Sequence, residues 1–110
     1  MKIAEFADKY GVDRRSIDYW TNIGLLHPDG TSEGNGYRVY GEKAEEEIKK
    51  ILIAKAMGGS PLEEYVDLLD HLPADLWEKI VVDGIEKEIQ RITSSYRLAL
   101  KWAEEIKESR

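Results

Sequence analysis

The apolar positions of the chain fall into runs with helical spacing, divided by short polar or glycine-containing breaks. Ile3, Phe6, Ala7 and Tyr10 share one face of a first short helix that stops at Gly11. The rhythm resumes from Arg14. Ile17 and Trp20 point to one side and Ile23 continues that face, while Arg14, Arg15 and Tyr19 fall elsewhere on the circumference. Asp13 is placed to cap this second helix, because its carboxylate can accept from the unpaired N–H groups of the first turn. Gly24 supplies a left-handed stop, and Leu25-Leu26 leaves in an extended, apolar direction. His27 to Gly36 is polar, with Pro28 and three glycines. Asn35-Gly36 is a tight-turn signal, and Tyr37-Arg38-Val39-Tyr40 alternates as a short strand. The order predicts a helix-turn-helix followed by a hairpin wing.

A third helix is predicted from Glu42 to Met57, with Ala44, Ile48, Ile51, Leu52 and Ala56 as its apolar stripe and Gly58-Gly59 as its end. Its run Glu45-Glu46-Glu47 reads as a solvated face near the helix N-terminus, where negative charge is favourable. Ser60 as N-cap, Pro61 at the first helical position and Glu63 completing a capping box open a fourth helix. After a break at His71 to Ala74, one long helix runs from Pro73 to about Glu108. Along it Val82, Ile85, Ile89, Ile92, Tyr96, Ala99, Ala103 and Ile106 alternate spacings of three and four, the mark of a two-helix seam. A helix of roughly thirty residues is about 45 Å long, and one chain of this size cannot cover such a stripe. The seam therefore predicts a homodimer. Ala99 and Ala103 allow close approach, and Trp77, Ile80, Val81, Leu98, Leu100 and Trp102 widen the surface, to dock against the partner's head. Asp83-Gly84 marks a place to bend. The chain divides into a head, 1–70, and a dimerisation helix, 71–110.

Composition adjusts this picture. The 110 residues make one domain's worth of chain, 42% hydrophobic and 35% charged, with a net charge of −6. Residues 44–70 carry seven acids against three bases, whereas residues 1–43 are nearly balanced, so the deficit is local. Any nucleic-acid binding is expected to be weak when nonspecific and sensitive to salt. There is no cysteine, which excludes a disulfide frame and thiolate metal sites. No apolar run approaches the ~20 residues of a membrane span, and the N-terminus enters a helix without a signal-peptide core, so the cytoplasm is expected. The two histidines are isolated, His71 reading as a surface or capping residue. No serine has an evident base, and no Gly-rich phosphate loop follows a strand. No enzyme activity, metal or cofactor is expected. An apolar pocket near Tyr65, Trp77, Tyr96 and Trp102 is conceivable, with ordinary packing the stronger reading.

Three stretches carry a family resemblance: Ile3-Ala4-Glu5-Phe6-Ala7, Gly11-Val12-Asp13-Arg14-Arg15-Ser16-Ile17-Asp18-Tyr19-Trp20 through Ile23-Gly24-Leu25-Leu26-His27-Pro28, and Asn35-Gly36-Tyr37-Arg38-Val39-Tyr40. From Ile3 to about Leu69 the chain resembles the N-terminal domain of the MerR (mercury-resistance-type) transcriptional regulators. The resemblance implies a mainly α fold, a winged helix-turn-helix whose long C-terminal helix forms an antiparallel coiled coil in a dimer. It implies a regulator that bends and untwists promoter DNA, with double-stranded DNA, a second copy and RNA polymerase as partners. Arg14 and Arg15 would contact bases or phosphates, and Ser16 and Tyr19 phosphates. Tyr37 and Arg38 would contact the backbone from the wing, with Lys55 and Ser60 as second-tier contacts; Lys2 reads rather as a solvated lysine.

Three departures stand against the pattern. Asp18 occupies a position where the family usually has an arginine that contacts DNA; a carboxylate there would repel phosphate unless it pairs with Arg14 or Arg15 one turn away, so either the target differs or binding is weakened. Gly58-Gly59-Ser60-Pro61-Leu62 is one residue longer than usual. The cysteines by which many relatives sense metals or redox are missing. Two other readings remain open: a MerR-like protein-binding adaptor that has lost DNA binding, and an architectural recombination factor. No effector domain follows the helix, so the chain reads as effector-independent or as a piece of a longer sensor.

Overall fold

The computed structural model describes residues 1–31, 36–58 and 60–110. Helices α1 (Ile3–Tyr10) and α2 (Arg14–Asn22) precede a two-stranded antiparallel wing, β1 (Gly30–Thr31) and β2 (Arg38–Val39). Helices α3 (Glu42–Ala56) and α4 (Leu62–His71) complete the head. Then follow α5 (Ala74–Trp77), a π-helical turn at Glu78–Val82 and α6 (Asp83–Glu108). Backbone angles stay in the right-handed helical region at both junctions, so the last three make one continuous rod. Gly30 pairs with Val39 and Thr31 with Arg38, and Lys2 bridges to Val39 on its other side. The expected turn at Asn35 lies outside the described residues.

The head has two cores. Phe6 is fully buried, stacked on Tyr40 at 4.8 Å between ring centroids and meeting Tyr10 edge-on at 5.3 Å. Ile17, Trp20, Leu26, Ile48 and Ile51 close around this pair, so α1, α2, α3 and the exit of the wing share one apolar centre. The second core gathers Ala54, Leu69 and Val81, with Met57, Tyr65, Trp77 and Ile85 packed beside them. Through it the start of the rod is fixed to its own head.

Several expectations need correction here. Val81 and Trp77 do not await a partner's head, because Val81 is buried in the second core of their own and Trp77 packs beside it. Val82 and Ile85 are half-buried, Ile85 against the second core, so the fully exposed part of the expected seam begins at Ile89. Ala54, not Ala56, completes the buried stripe of α3. Ile23 is 39% exposed, since the helix ends at Asn22 and the chain turns away. Ser60 does not cap α4. Pro61 occupies the cap position with extended backbone, the helix begins at Leu62, and no side chain caps it. Tyr65 and Trp77 belong to the second core while Tyr96 and Trp102 are exposed on the rod, so these four form no common pocket. His71 matches its reading, its Nδ1 lying 2.9 Å from the Asp67 carbonyl in the last turn of α4.

The acidic run of α3 is not simply solvated. Glu47 accepts from the backbone N–H of His27 at 3.0 Å and lies 2.6 Å from its ring nitrogen. Glu45 takes the Lys9 ammonium, and the Tyr10 hydroxyl donates to it at 2.9 Å. The Lys9 contact first, then Tyr10, holds the Glu45 carboxyl below its ordinary range. A carboxyl depressed in the folded state contributes stability above its unfolded pKa and loses it as pH falls through the folded one. Glu45→Gln is therefore expected to melt earlier than wild type at about pH 7, and to lose less of its melting temperature between about pH 5 and pH 3. Thermal melts followed by circular dichroism across that range check the sign.

Beyond Ile89 every residue of the rod is exposed. Ile89 is 58% exposed, Tyr96 72% and Ile106 57%. Among the described residues no helix is long and apolar enough to cross a membrane. The molecule measures 61 × 42 × 20 Å, the shape of a head with a projecting arm.

Candidate nucleic-acid interface

Helix α2 is set by contacts at both ends and along its inner face. The Asp13 carboxylate accepts from the Ser16 backbone N–H at 2.7 Å, and that hydrogen bond is the main reason its pKa lies below the ordinary value. At the other end Gly24 takes a φ of 84°, open to glycine at little cost. The N–H groups of Leu25 and Leu26 return to the Trp20 carbonyl at 2.9 and 3.1 Å. Inside, Ile17 and Trp20 are buried as anchors. Thr21 donates its hydroxyl to the Ile17 carbonyl at 2.7 Å and lies 3.0 Å from the Tyr40 hydroxyl, which ties α2 to the exit of the wing.

The outer face of α2 presents Arg14, Arg15, Asp18, Tyr19 and Asn22 to solvent. Between α2, the start of α1 and the wing lies an open groove of about 760 Å³. Among the described residues Lys2, Arg14, Asp18, Asn22, Tyr37 and Arg38 line it, three bases against one acid. On a chain whose net charge is −6, this is a locally positive concavity. Arg38 crosses it: its Nη1 donates to Asp18 Oδ1 at 3.3 Å and its Nη2 to Asn22 Oδ1 at 3.3 Å. The partner of Asp18 is thus Arg38 of the wing rather than Arg14 or Arg15, because β2 brings that side chain to this face of the helix.

The other expected contacts lie elsewhere. Arg15 and Lys55 both act electrostatically on Asp13, which puts a second pair of cations beside the N-terminus of α2. The Lys55 ammonium sits over the Trp20 ring, 5.6 Å from its centroid. Ser16 is half-buried by its capping bond, Tyr19 is 57% exposed, and Ser60 is exposed at the entry to α4. Lys2 and Asn22 line the groove although the sequence reading did not place them there. The bridge from Lys2 to Val39 brings the first into position. Asn22, at i+4 from Asp18, carried a signal that could have been read. Among the described residues no group of three His, Cys, Asp or Glu side chains gathers as a metal would need.

A family model, MerR HTH family regulatory protein, matches residues 1–72. The HTH-type transcriptional activator mta of Bacillus subtilis (strain 168) is 33% identical over 70 residues, 64% of this chain and 26% of its own length. The HTH-type transcriptional regulator YfmP of the same organism is 34% identical over 64 residues, 58% of this chain and 45% of its own length. The chain therefore spans less than half the length of these relatives. The crystal structure of MtaN, the N-terminus of the B. subtilis multidrug transporter activator, superposes with a TM-score of 0.62 at 25% identity, covering 94% of this chain and 97% of that one. A MerR-family transcriptional regulator from Bacillus cereus gives a TM-score of 0.63 at 24% identity, covering 98% of this chain and 78% of the other, and shares the fold.

Proposed function

This chain belongs to the MerR family of helix-turn-helix regulatory proteins, and from that premise we propose that it is a sequence-specific DNA-binding transcriptional regulator that works as a homodimer and distorts promoter DNA. The observation that carries this reading is the positive groove between α2 and the wing on an otherwise acidic chain. A helix with exposed arginines on its first turn suits the major groove, where a guanidinium can bridge two acceptors of a guanine or grip phosphates. Arg14 and Arg15 take those contacts, Ser16 and Tyr19 adjacent phosphates, Tyr37 and Arg38 the backbone beside the wing, and Lys55 and Ser60, the latter at the entry to α4, act as second-tier phosphate contacts.

Two heads bind a pseudo-palindrome, joined by the seam of the rods. Ile89, Ile92, Tyr96, Ala99, Ala103 and Ile106 form the interface with the second copy, while Val82 and Ile85 support it from the head side. As the family resemblance implies, the paired heads grip a bent and untwisted duplex. The contacts offset a deformation cost of several kcal/mol, about 1–6 for a bend of this class. RNA polymerase is the partner that reads the altered promoter.

A salt-titrated band shift on the DNA upstream of the chain's own coding sequence tests the reading. Retardation at low salt that weakens steeply as salt rises is expected. No retardation at any salt overturns it. Arg14→Ala is expected to weaken binding by about 1–3 kcal/mol and to relax preference at one base pair if it reads a base. A phosphate contact instead lowers affinity evenly and reduces the salt slope by about one. Competition with single-base variants of the site separates the two.

A further inference from the structure

Asp18 looks out of place on a DNA-facing helix, since a carboxylate there repels phosphate. Its contacts give it a different role. Asp18 and Asn22 stand one turn apart on α2, and their Oδ1 atoms accept from the two terminal nitrogens of the same guanidinium, that of Arg38, each at 3.3 Å. We propose that Asp18 and Asn22 are positioning residues that clamp the wing's Arg38 against the recognition helix and so hold its guanidinium at a fixed place in the groove as a donor to DNA. The inference rests on the DNA-binding reading above and deepens it.

The backbone of β2 is already pinned, by its bridge to Lys2 and by the reciprocal hydrogen bonds between Met1 and Tyr40, but these do not fix the Arg38 side chain. Arginine carries large rotamer freedom, lost only where its planar fork is met by fixed acceptors. An α-helix supplies them, because residues i and i+4 lie on one face. Two of the five guanidinium N–H donors are engaged by the helix in this way, and the fork has further donors to offer a phosphate or a base edge. The convergence of a neutral amide and a carboxylate on one cation is not what simple charge neutralisation would require. Asp18 is 55% exposed on its side chain, so its repulsion of phosphates across water is screened, whereas its contact with Arg38 is direct. Lys2 and Arg14 line the same groove and leave it positive with Asp18 in place.

The test measures equilibrium binding of the full chain to its own upstream duplex at two salt concentrations, for wild type, Asp18→Ala, Asp18→Asn, Arg38→Ala and the Asp18→Ala/Arg38→Ala pair. In parallel, nitrogen-15 relaxation of the Arg38 Nε–H group is followed without DNA. Asp18→Ala is expected to bind about two- to fivefold more weakly, in line with the size of an exposed ion pair. Asp18→Asn, which keeps an acceptor, restores most of the loss. In the Arg38→Ala background Asp18→Ala weakens binding no further. The Arg38 group is ordered in wild type and in Asp18→Asn and mobile in Asp18→Ala. Tighter or unchanged binding by Asp18→Ala overturns the proposal. So does an Asp18→Ala loss that persists in full without Arg38, or an Arg38 group already mobile in wild type. Wild type that is never retarded overturns the regulatory reading and, with it, the clamp's role, an outcome distinct from additive losses in a wild type that binds.

Discussion

Aspartate at both Ile92 and Tyr96 is expected to convert a dimer into a monomer and to remove retention of the promoter duplex. Both side chains are exposed on the rod, 41% and 72%, and neither belongs to the cores of the head. The variant should therefore keep a folded head. In the proposed dimer the same positions lie in the seam, and each copy of the variant would bring two carboxylates into an apolar contact. Burying one unpaired polar group already costs about 1–3 kcal/mol by mutational measure, and a charge costs more, so four such groups exceed what a seam of this length can offset. Once the heads separate, the second half-site no longer binds as an intramolecular event. Affinity is expected to fall by at least about a hundredfold, the lower end of the gain from joining two modules. Light scattering on wild type and variant gives the masses, and the band shift gives the affinities. A variant that stays dimeric removes the seam as the interface. A monomeric wild type removes the paired-head reading altogether.

Phe6→Ala is expected to be the most destabilising single truncation in the head. The ring is fully buried and joins α1 to the wing through its stack on Tyr40. Phenylalanine truncations in cores cost about 3–5 kcal/mol, and a small domain holds only about 5–15 kcal/mol in all. The variant is expected to unfold at a much lower urea midpoint. Tyr19→Ala, at an exposed site of α2, should remain within about 0.5 kcal/mol of wild type. The contrast separates a residue that holds the head together from one that only faces outward. Equal midpoints for the two variants would show that α1 is not integral to the core.

Much of this arrangement could be read from local chemistry. The extent of α1, the Asp13 cap and the turns at Gly11 and Gly24 follow from short-range rules, and the structure agrees with each. Burial of Ile17, Trp20 and Ile48 follows from spacing alone. What could not be read depends on elements distant in sequence. Spacing cannot tell that Arg38 folds back to Asp18, twenty residues earlier, or that Glu45 serves α1 rather than water. Heptad counting also ran the seam back to Val82, because the same apolar alternation serves the head first and the free arm afterwards. Only the packing of Val81 and Ile85 against Ala54 and Leu69 divides the two. The family resemblance was legible because its turn and wing residues are local signals.

The π turn at Glu78–Val82 places one surplus residue per loop of hydrogen bonds, i to i+5 rather than i to i+4. Winding the same five residues as ordinary α-helix, with none removed, would rotate everything downstream by most of one residue's step of about 100° about the axis. In a symmetric pair that error counts twice, once for each arm, so the two heads would aim at different azimuths of the duplex. In the proposed dimer the five residues of this turn would set the phase between what a head recognises and where its twin can stand.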